Sequence, residues 1–145
     1  MAYAYFDTSA LIKRYVNEAG RLEVVKLLAK NACVVSAVLP IEVRSALRRR
    51  VTEGTLDKDR LPAILKRFTA DRAFWTVIEA SRDVLAAAET LSAAHPWRAL
   101  DAIHVASAQL FATRISSSAF SFVSADTRQI TAAVALGMTT RHIAS

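Results

Sequence analysis

Residues 3–12 read "YAYFDTSALI", and the fold turns on what this stretch is. The apolar, aromatic run Tyr3–Phe6 has the composition of a short buried strand, and it ends on a carboxylate, Asp7, followed by two hydroxyls. Thr8–Tyr15 then reads as a short helix. A charge at the end of a core element is costly unless something compensates it. Asp7 therefore asks for a capping role, a counter-ion or a ligand.

Beyond this stretch, the rest of the chain repeats the strand-then-helix pattern. Gly20 breaks the chain, and "RLEVVKLLAK" (21–30) spaces Leu22, Val25 and Leu28 as a helix does. "CVVS" (33–36) is the next buried strand. Ser36 is placed to cap a helix carrying Pro40 in its first turn, where a missing N–H does no harm. That helix runs to about Thr52 and Gly54 stops it. Asp57 opens another, with Leu61, Ile64, Leu65 and Phe68 on one face and Pro62 leaving its start open by a turn. "FWTVI" (74–78) is a third strand, and Ser81 caps "RDVLAAAETLSAA" (82–94). The helix "RALDAIHVASAQLFATR" (98–114), a strand at "FSFVS" (120–124) and a helix from Asp126 to Gly137 come next, with a last short strand near Met138–Thr140. Strands separated by helices imply an α/β fold with a parallel sheet covered on both faces. In such sheets ligands bind beyond the carboxyl ends of the strands, which gives acids at strand ends a special interest.

The 145 residues suit one domain, taken as 1–145, and the three glycines and three prolines form no linker that would divide it. A formal charge of +6 favours acidic partners, nucleic acid or an acidic protein, and is silent on fold. Cys33 is the only cysteine, so an internal disulfide is excluded and a reducing compartment is expected. No basic region followed by an apolar run opens the sequence as a secretory signal would. The uncharged apolar stretch Ala102–Thr113 is too short to cross a bilayer. A soluble, cytoplasmic protein that does not engage a membrane is the expectation.

Four acids stand at informative places. Asp7 follows the first strand and Asp126 the fourth; if those strands are neighbours, both carboxylates meet at one sheet edge. Each can also simply cap the helix after it, and Asp126 with Gln129 has capping-box spacing. Asp101 begins a helix that is apolar in nearly every direction, which marks it as buried. The helix dipole offsets only about 0.3–1 kcal/mol of the cost of an ion there, less than the several kcal/mol of desolvation, so a cation, an arginine or a metal, must make up the difference. Glu42 sits at the margin of the stripe Leu39, Val43, Ala46, Leu47 and Val51, about 60° from Leu39 and about 40° from Ala46. An exposed Glu42 paired with Ser45 or Arg49 is the plainer reading of that residue alone. Brought together, four carboxylates repel by about 1–4 kcal/mol per close pair, and oxygen ligands without cysteine or several histidines suit Mg²⁺ or Mn²⁺.

The segments "YFDTSALIKRY", "SAVLPIEVRSAL", "RALDAIHVASA" and "SADTRQITAAVALGM", in that order, make the chain resemble the PIN-domain ribonucleases, and most closely the VapC-type toxins of toxin–antitoxin pairs. The resemblance spans essentially the whole chain. It implies a three-layer α/β/α sandwich around a central, mostly parallel sheet of four to five strands. It implies an acidic site of Asp7, Glu42, Asp101 and Asp126, with Ser9 as the hydroxyl beside Asp7 and Ser124 where the family often carries a threonine. It also implies Mg²⁺- or Mn²⁺-dependent endoribonuclease activity, a cognate VapB-like antitoxin that blocks the site, and a homodimer.

On that basis Asp7 and Asp101 are expected to hold the principal ion, with Asp126 and Glu42 completing the site and Glu42 orienting a water. An acidic pocket repels RNA, so Arg44, Arg48, Arg49 and Arg50, with Lys58, Arg60, Lys66 and Arg67 on the next helix, are the candidate phosphate contacts; such contacts position a strand without reading its sequence. His104, one turn from Asp101, reads as a satisfied core histidine, and Cys33 and Trp75 as packing residues, while Trp97 is equally a core or a base-stacking residue. A haloacid-dehalogenase-type phosphatase would need a second acid where Ser9 stands, and the three glycines never cluster into a phosphate loop. The alternative from another class is a catalytically silent PIN-like module that binds RNA or protein without cleaving.

Overall fold

The computed structural model describes residues 2–115 and 119–145. Five strands, β1 (Tyr3–Phe6), β2 (Ala32–Ser36), β3 (Thr76–Ile78), β4 (Phe120–Ser124) and β5 (Thr140–His142), form one sheet in the order β3-β2-β1-β4-β5. Every pairing is parallel. Tyr5 stands level with Val34 on one side and Phe122 on the other.

Parallel strands need crossovers, and helices supply them. They are α1 (Thr8–Leu11, continued by a 3₁₀ turn Ile12–Arg14), α2 (Arg21–Lys30), α3 (Leu39–Thr52), α4 (Leu61–Arg72), α5 (Arg82–Ala94), α6 (Ala99–Ile115) and α7 (Thr127–Ala135). Strand periodicity sorts them into two layers. Ala4, Phe6, Cys33, Val35 and Val123 face α1–α4 with Leu11, Val24, Leu39, Val43, Leu47, Ile64 and Phe68. Tyr5, Val34 and Phe122 point the opposite way, onto Val84 and Leu91 of α5, Ala102, Val105 and Ala106 of α6, and Ala132 and Ala133 of α7. The result is the expected α/β/α sandwich.

Local chemistry accounts for most boundaries. Ser81 Oγ accepts from Val84 N at 3.2 Å and starts α5. Asp57 caps the 3₁₀ turn Lys58–Arg60 that leads into α4, with Pro62 in the first turn of α4. Gly54 adopts φ +79° just past α3, a conformation that favours glycine. Several expectations shift. The third strand is Thr76–Ile78 instead of 74–78, because Phe74 N and Trp75 N still bond Asp71 O and Arg72 O at the end of α4. Ser36 is the last residue of β2, and its Oγ accepts from Val38 N in the turn, so Val38 rather than Ser36 is the N-cap of α3. The last strand is Thr140–His142, two residues later than the sequence suggests, because Met138 N still bonds Ala133 O at the end of α7.

The connectivity creates one distinctive edge. The chain steps outward from β1 to β3, then returns to β4 on the other side of β1. The strand order reverses between β1 and β4, which is where crevices open at the carboxyl edge of such sheets. No helix of the described residues is long and apolar enough to cross a membrane.

Candidate functional site

Four of the helices that begin at that carboxyl edge each bring an acid to one pocket. Asp7 is the N-cap of α1 and Asp126 the N-cap of α7, while Glu42 and Asp101 sit in the first turns of α3 and α6. Unpaired N–H groups at helix starts favour anions there. Asp7 accepts from Ala10 N at 3.1 Å, and Asp126 from Arg128 N at 2.9 Å. The capping reading of these two residues holds, and it is compatible with a shared site. All four acids line one pocket of about 640 Å³, together with Thr8, Ser9, Lys13, Arg49, Arg50, Arg98, His104 and Gln129.

Asp7 is the most deeply set, 2% exposed. Ser9 Oγ lies 2.9 Å from both of its carboxylate oxygens, and the same Oγ accepts from Ala125 N at 3.0 Å. Ser124 Oγ, 3.4 Å from Ser9 Oγ, accepts from Asp126 N at 2.9 Å. These two hydroxyls tie the loop after β1 to the loop after β4 and fix Asp7 relative to Asp126. Burial pushes the Asp7 carboxyl up to about 6, against the pull of His104, Ser9, the Ala10 amide and Ser124. Among the described residues no Lys, Arg or His forms an ion pair with it.

Glu42 is not paired with Ser45 or Arg49. Its Oε1 accepts from Thr8 Oγ1 at 2.8 Å and lies 2.5 Å from His104 Nε2. On the far side of the imidazole, Nδ1 is 2.8 Å from Tyr5 Oη. Burial raises the Glu42 carboxyl, but the hydrogen bond and charge of His104 and the hydrogen bond of Thr8 together outweigh it, and the net direction is down. His104 is indeed a satisfied core histidine, 1% exposed and bonded through both nitrogens.

Asp101 keeps more exposure than its all-apolar helix suggests, because its turn of α6 opens onto the pocket: its side chain is 17% exposed. Gln129 Nε2 donates to its Oδ1 at 2.9 Å. Gln129 therefore reaches across to α6 instead of back along α7 in a capping box, and its own Oε1 is buried without a partner among the described residues. Arg128 spans two acids, 4.0 Å from Asp101 Oδ2 and 3.6 Å from Asp126 Oδ2, with 61% of its side chain exposed.

The acids share a pocket but not a cage: among the described residues no three His, Cys, Asp or Glu side chains gather closely enough to hold a metal as they stand. The donor chemistry still fits a hard divalent ion. Every candidate ligand is an oxygen, and among the described residues the buried Asp7 carboxylate has no ion-pair partner. Glu42 and Asp101 are half-satisfied by neighbours, and Arg128 occupies one side of Asp101 and Asp126.

Of the arginines expected to meet phosphate, Arg49 and Arg50 line the pocket, and Arg50 is paired with Glu18 at 3.1 Å. Arg44 and Arg48 lie on exposed turns of α3 outside its lining. Lys13, which no sequence pattern singles out, lines the pocket while 4% exposed, held by Ala19 O at 2.8 Å and Glu18 at 3.3 Å. Trp75 packs edge-on against Phe68, and Trp97 is half-buried against the α5–α7 layer.

Residues 4–135 match the sequence profile of a family described as "PIN domain". Among solved structures, a chain of a "Toxin-antitoxin complex from Klebsiella pneumoniae" superposes with a TM-score of 0.61 at 21% identity, covering 88% of this chain and 89% of that one. At that identity the likeness is one of fold. No curated protein matches the chain in sequence.

Proposed function

The chain belongs to the PIN-domain family, and on that footing we propose that it is a metal-dependent endoribonuclease acting as the toxin of a VapBC-type toxin–antitoxin pair. Its substrate would be RNA, its inhibitor a cognate VapB-like antitoxin, and its working form a homodimer in the cytoplasm. The observation that carries the reading is Asp7, a carboxylate buried at the strand-order reversal with no ion-pair partner among the described residues and with three further acids lining the same pocket. The Klebsiella structure, a toxin–antitoxin complex, supports the antitoxin.

A divalent ion, Mg²⁺ or Mn²⁺, would lower the pKa of a bound water and offset charge on the phosphate. Asp7 and Asp101 would hold it, with Asp126 close by. Ser9 keeps Asp7 in place by bonding both of its oxygens. Gln129 would hold Asp101, and Glu42 would orient the attacking water. Arg128 lies on the Asp101–Asp126 side that a bound ion would share, and its exposure leaves it free to swing toward solvent or phosphate. Lys13, Arg49 and Arg50 supply positive charge at the same pocket for the RNA backbone.

The Arg128 contact is also the observation that favours the second reading, a silent PIN-like binding module in which two of the acids, Asp101 and Asp126, already have a cationic neighbour. Cleavage of total RNA with Mg²⁺, and with EDTA as control, separates the two. Metal-dependent cleavage that Asp7→Asn abolishes is the expected result. RNA binding without cleavage in saturating Mg²⁺ or Mn²⁺ would overturn the nuclease proposal.

A further inference from the structure

Glu42 and His104 are 62 residues apart, and Tyr5 lies on a third element, yet the three form one continuous chain of hydrogen bonds from the pocket into the core. Tyr5 is on the central strand β1, fully buried, stacked on Phe122 at 5.6 Å and edge-on to the His104 ring. His104 is on α6, one turn after Asp101. A carboxylate oxygen at 2.5 Å from Nε2 can only accept when ionised, so Nε2 must carry the hydrogen whatever charge the ring holds. Nδ1 is then left for the Tyr5 hydroxyl, which fixes the plane and the facing of the ring. Thr8 Oγ1 closes the arrangement, 2.8 Å from the same Glu42 oxygen and 3.3 Å from Nε2.

The consequence for Glu42 is asymmetric. Both donors converge on Oε1, and no described residue bonds Oε2. One oxygen is clamped to the core and the other remains for the pocket. Asp7 and Asp126, by contrast, spend an oxygen on the first amides of their own helices, so the four acids are not equivalent.

We propose that His104 is a positioning residue for Glu42, clamped by Tyr5, and that the Tyr5–His104–Glu42 chain reserves Glu42 for orienting the attacking water rather than for binding the ion. The proposal rests on the nuclease reading for its functional half and on geometry alone for its structural half. Groups that orient a reacting side chain in this way typically matter by about 10–100-fold when removed.

Two measurements test it, and they fail separately. In ¹⁵N-labelled wild type, two-bond ¹H–¹⁵N spectra of the imidazoles should show Nε2 of His104 protonated, with its proton signal moved by Glu42→Gln. An unprotonated Nε2, or no response to Glu42→Gln, overturns the clamp even if RNA is cleaved. In the Mg²⁺-dependent cleavage assay, His104→Leu should lower kcat about 10–100-fold with KM nearly unchanged, and His104→Gln, whose Nε2 can donate to the same oxygen, should recover most of the loss. Tyr5→Phe removes one hydroxyl from an otherwise unchanged core and should lower kcat in the same direction, which keeps the test alive if His104→Leu does not fold. Equal losses in the Leu and Gln variants, or a loss confined to KM, overturn the positioning role. A wild type that does not cleave RNA defeats the nuclease reading and leaves the imidazole spectra to judge the clamp.

Discussion

Asp7→Asn should make this protein more stable at neutral pH while removing its proposed activity. Burial holds the Asp7 carboxyl at about 6 in the folded chain, against 3.8 for the ordinary group. The folded pKa is the higher one, so between those two values the native state binds more protons than the unfolded state, and stability falls as pH rises. Below about pH 3.8 the carboxyl is protonated in both states and the penalty is absent. Above about 6 it is fully present, roughly 3 kcal/mol at 1.36 kcal/mol per pKa unit. Asparagine has the same shape, never ionises, and keeps an oxygen for the Ala10 amide and the Ser9 hydroxyl. In urea unfolding with EDTA, Asp7→Asn should gain up to about 3 kcal/mol over wild type at pH 7, and the gain should shrink toward zero at pH 4. Mn²⁺ at about 100 times its Kd should return about 2.7 kcal/mol to the wild type and little to the variant. A variant less stable than wild type at pH 7, or a difference that does not shrink on acidification, would show that burial does not penalise this carboxylate.

Three further substitutions probe the neighbours of the pocket's aspartates. Arg128→Ala removes an exposed guanidinium from Asp101 and Asp126; stability should change by no more than about 0.5 kcal/mol, while Mn²⁺ affinity by calorimetry tightens about fivefold, the worth of about 1 kcal/mol near water's dielectric. Unchanged or weaker Mn²⁺ binding would contradict this. Ser9→Ala strips Asp7 of its hydroxyl donor and leaves Ala125 N–H unpaired, so urea unfolding should show a loss of about 1–3 kcal/mol; a neutral result would mean water replaces the hydroxyl without cost. Gln129→Leu replaces a half-satisfied buried amide with an apolar group, so stability should move by less than about 1 kcal/mol while the cleavage rate falls about tenfold through a misplaced Asp101. Full cleavage activity would detach Gln129 from the site.

Most of each layer is legible in the sequence because strand geometry and helical spacing are local signals; α2 departs, since Leu22 of the stripe Leu22, Val25 and Leu28 is 77% exposed and Val24 packs into the core instead. Ala4 and Phe6 against Tyr5, or Cys33 and Val35 against Val34, assign faces without any tertiary knowledge. The meeting of Asp7 and Asp126 follows from strands ending in acids, and it needs only that β1 and β4 be neighbours, as they are. Partners distant in the chain are what a sequence hides. Glu42 reads from sequence as an exposed acid at the margin of an apolar stripe because helix geometry places a residue on its own helix only; Thr8 and His104 come from two others. Gln129 three residues after Asp126 fits a local capping pattern, and only the approach of α6 explains why it bonds Asp101 instead. His104 three residues after Asp101 is the one available hint, since that spacing puts both on adjacent parts of a helix surface. Helix geometry alone already turns Arg44 and Arg48 to the solvated face of α3 and Arg49 toward Glu42, and the pocket lining agrees.

An anomalous difference map from crystals soaked in Mn²⁺ would show directly whether the acids take up an ion. The expected peak lies in the pocket within coordination distance of an Asp7 oxygen, with the Arg128 guanidinium displaced from Asp101 and Asp126 and Glu42 Oε1 still bonded to His104. A pocket without manganese at saturating concentration, with Arg128 still lying between the two carboxylates, would mean that these acids do not form a metal site.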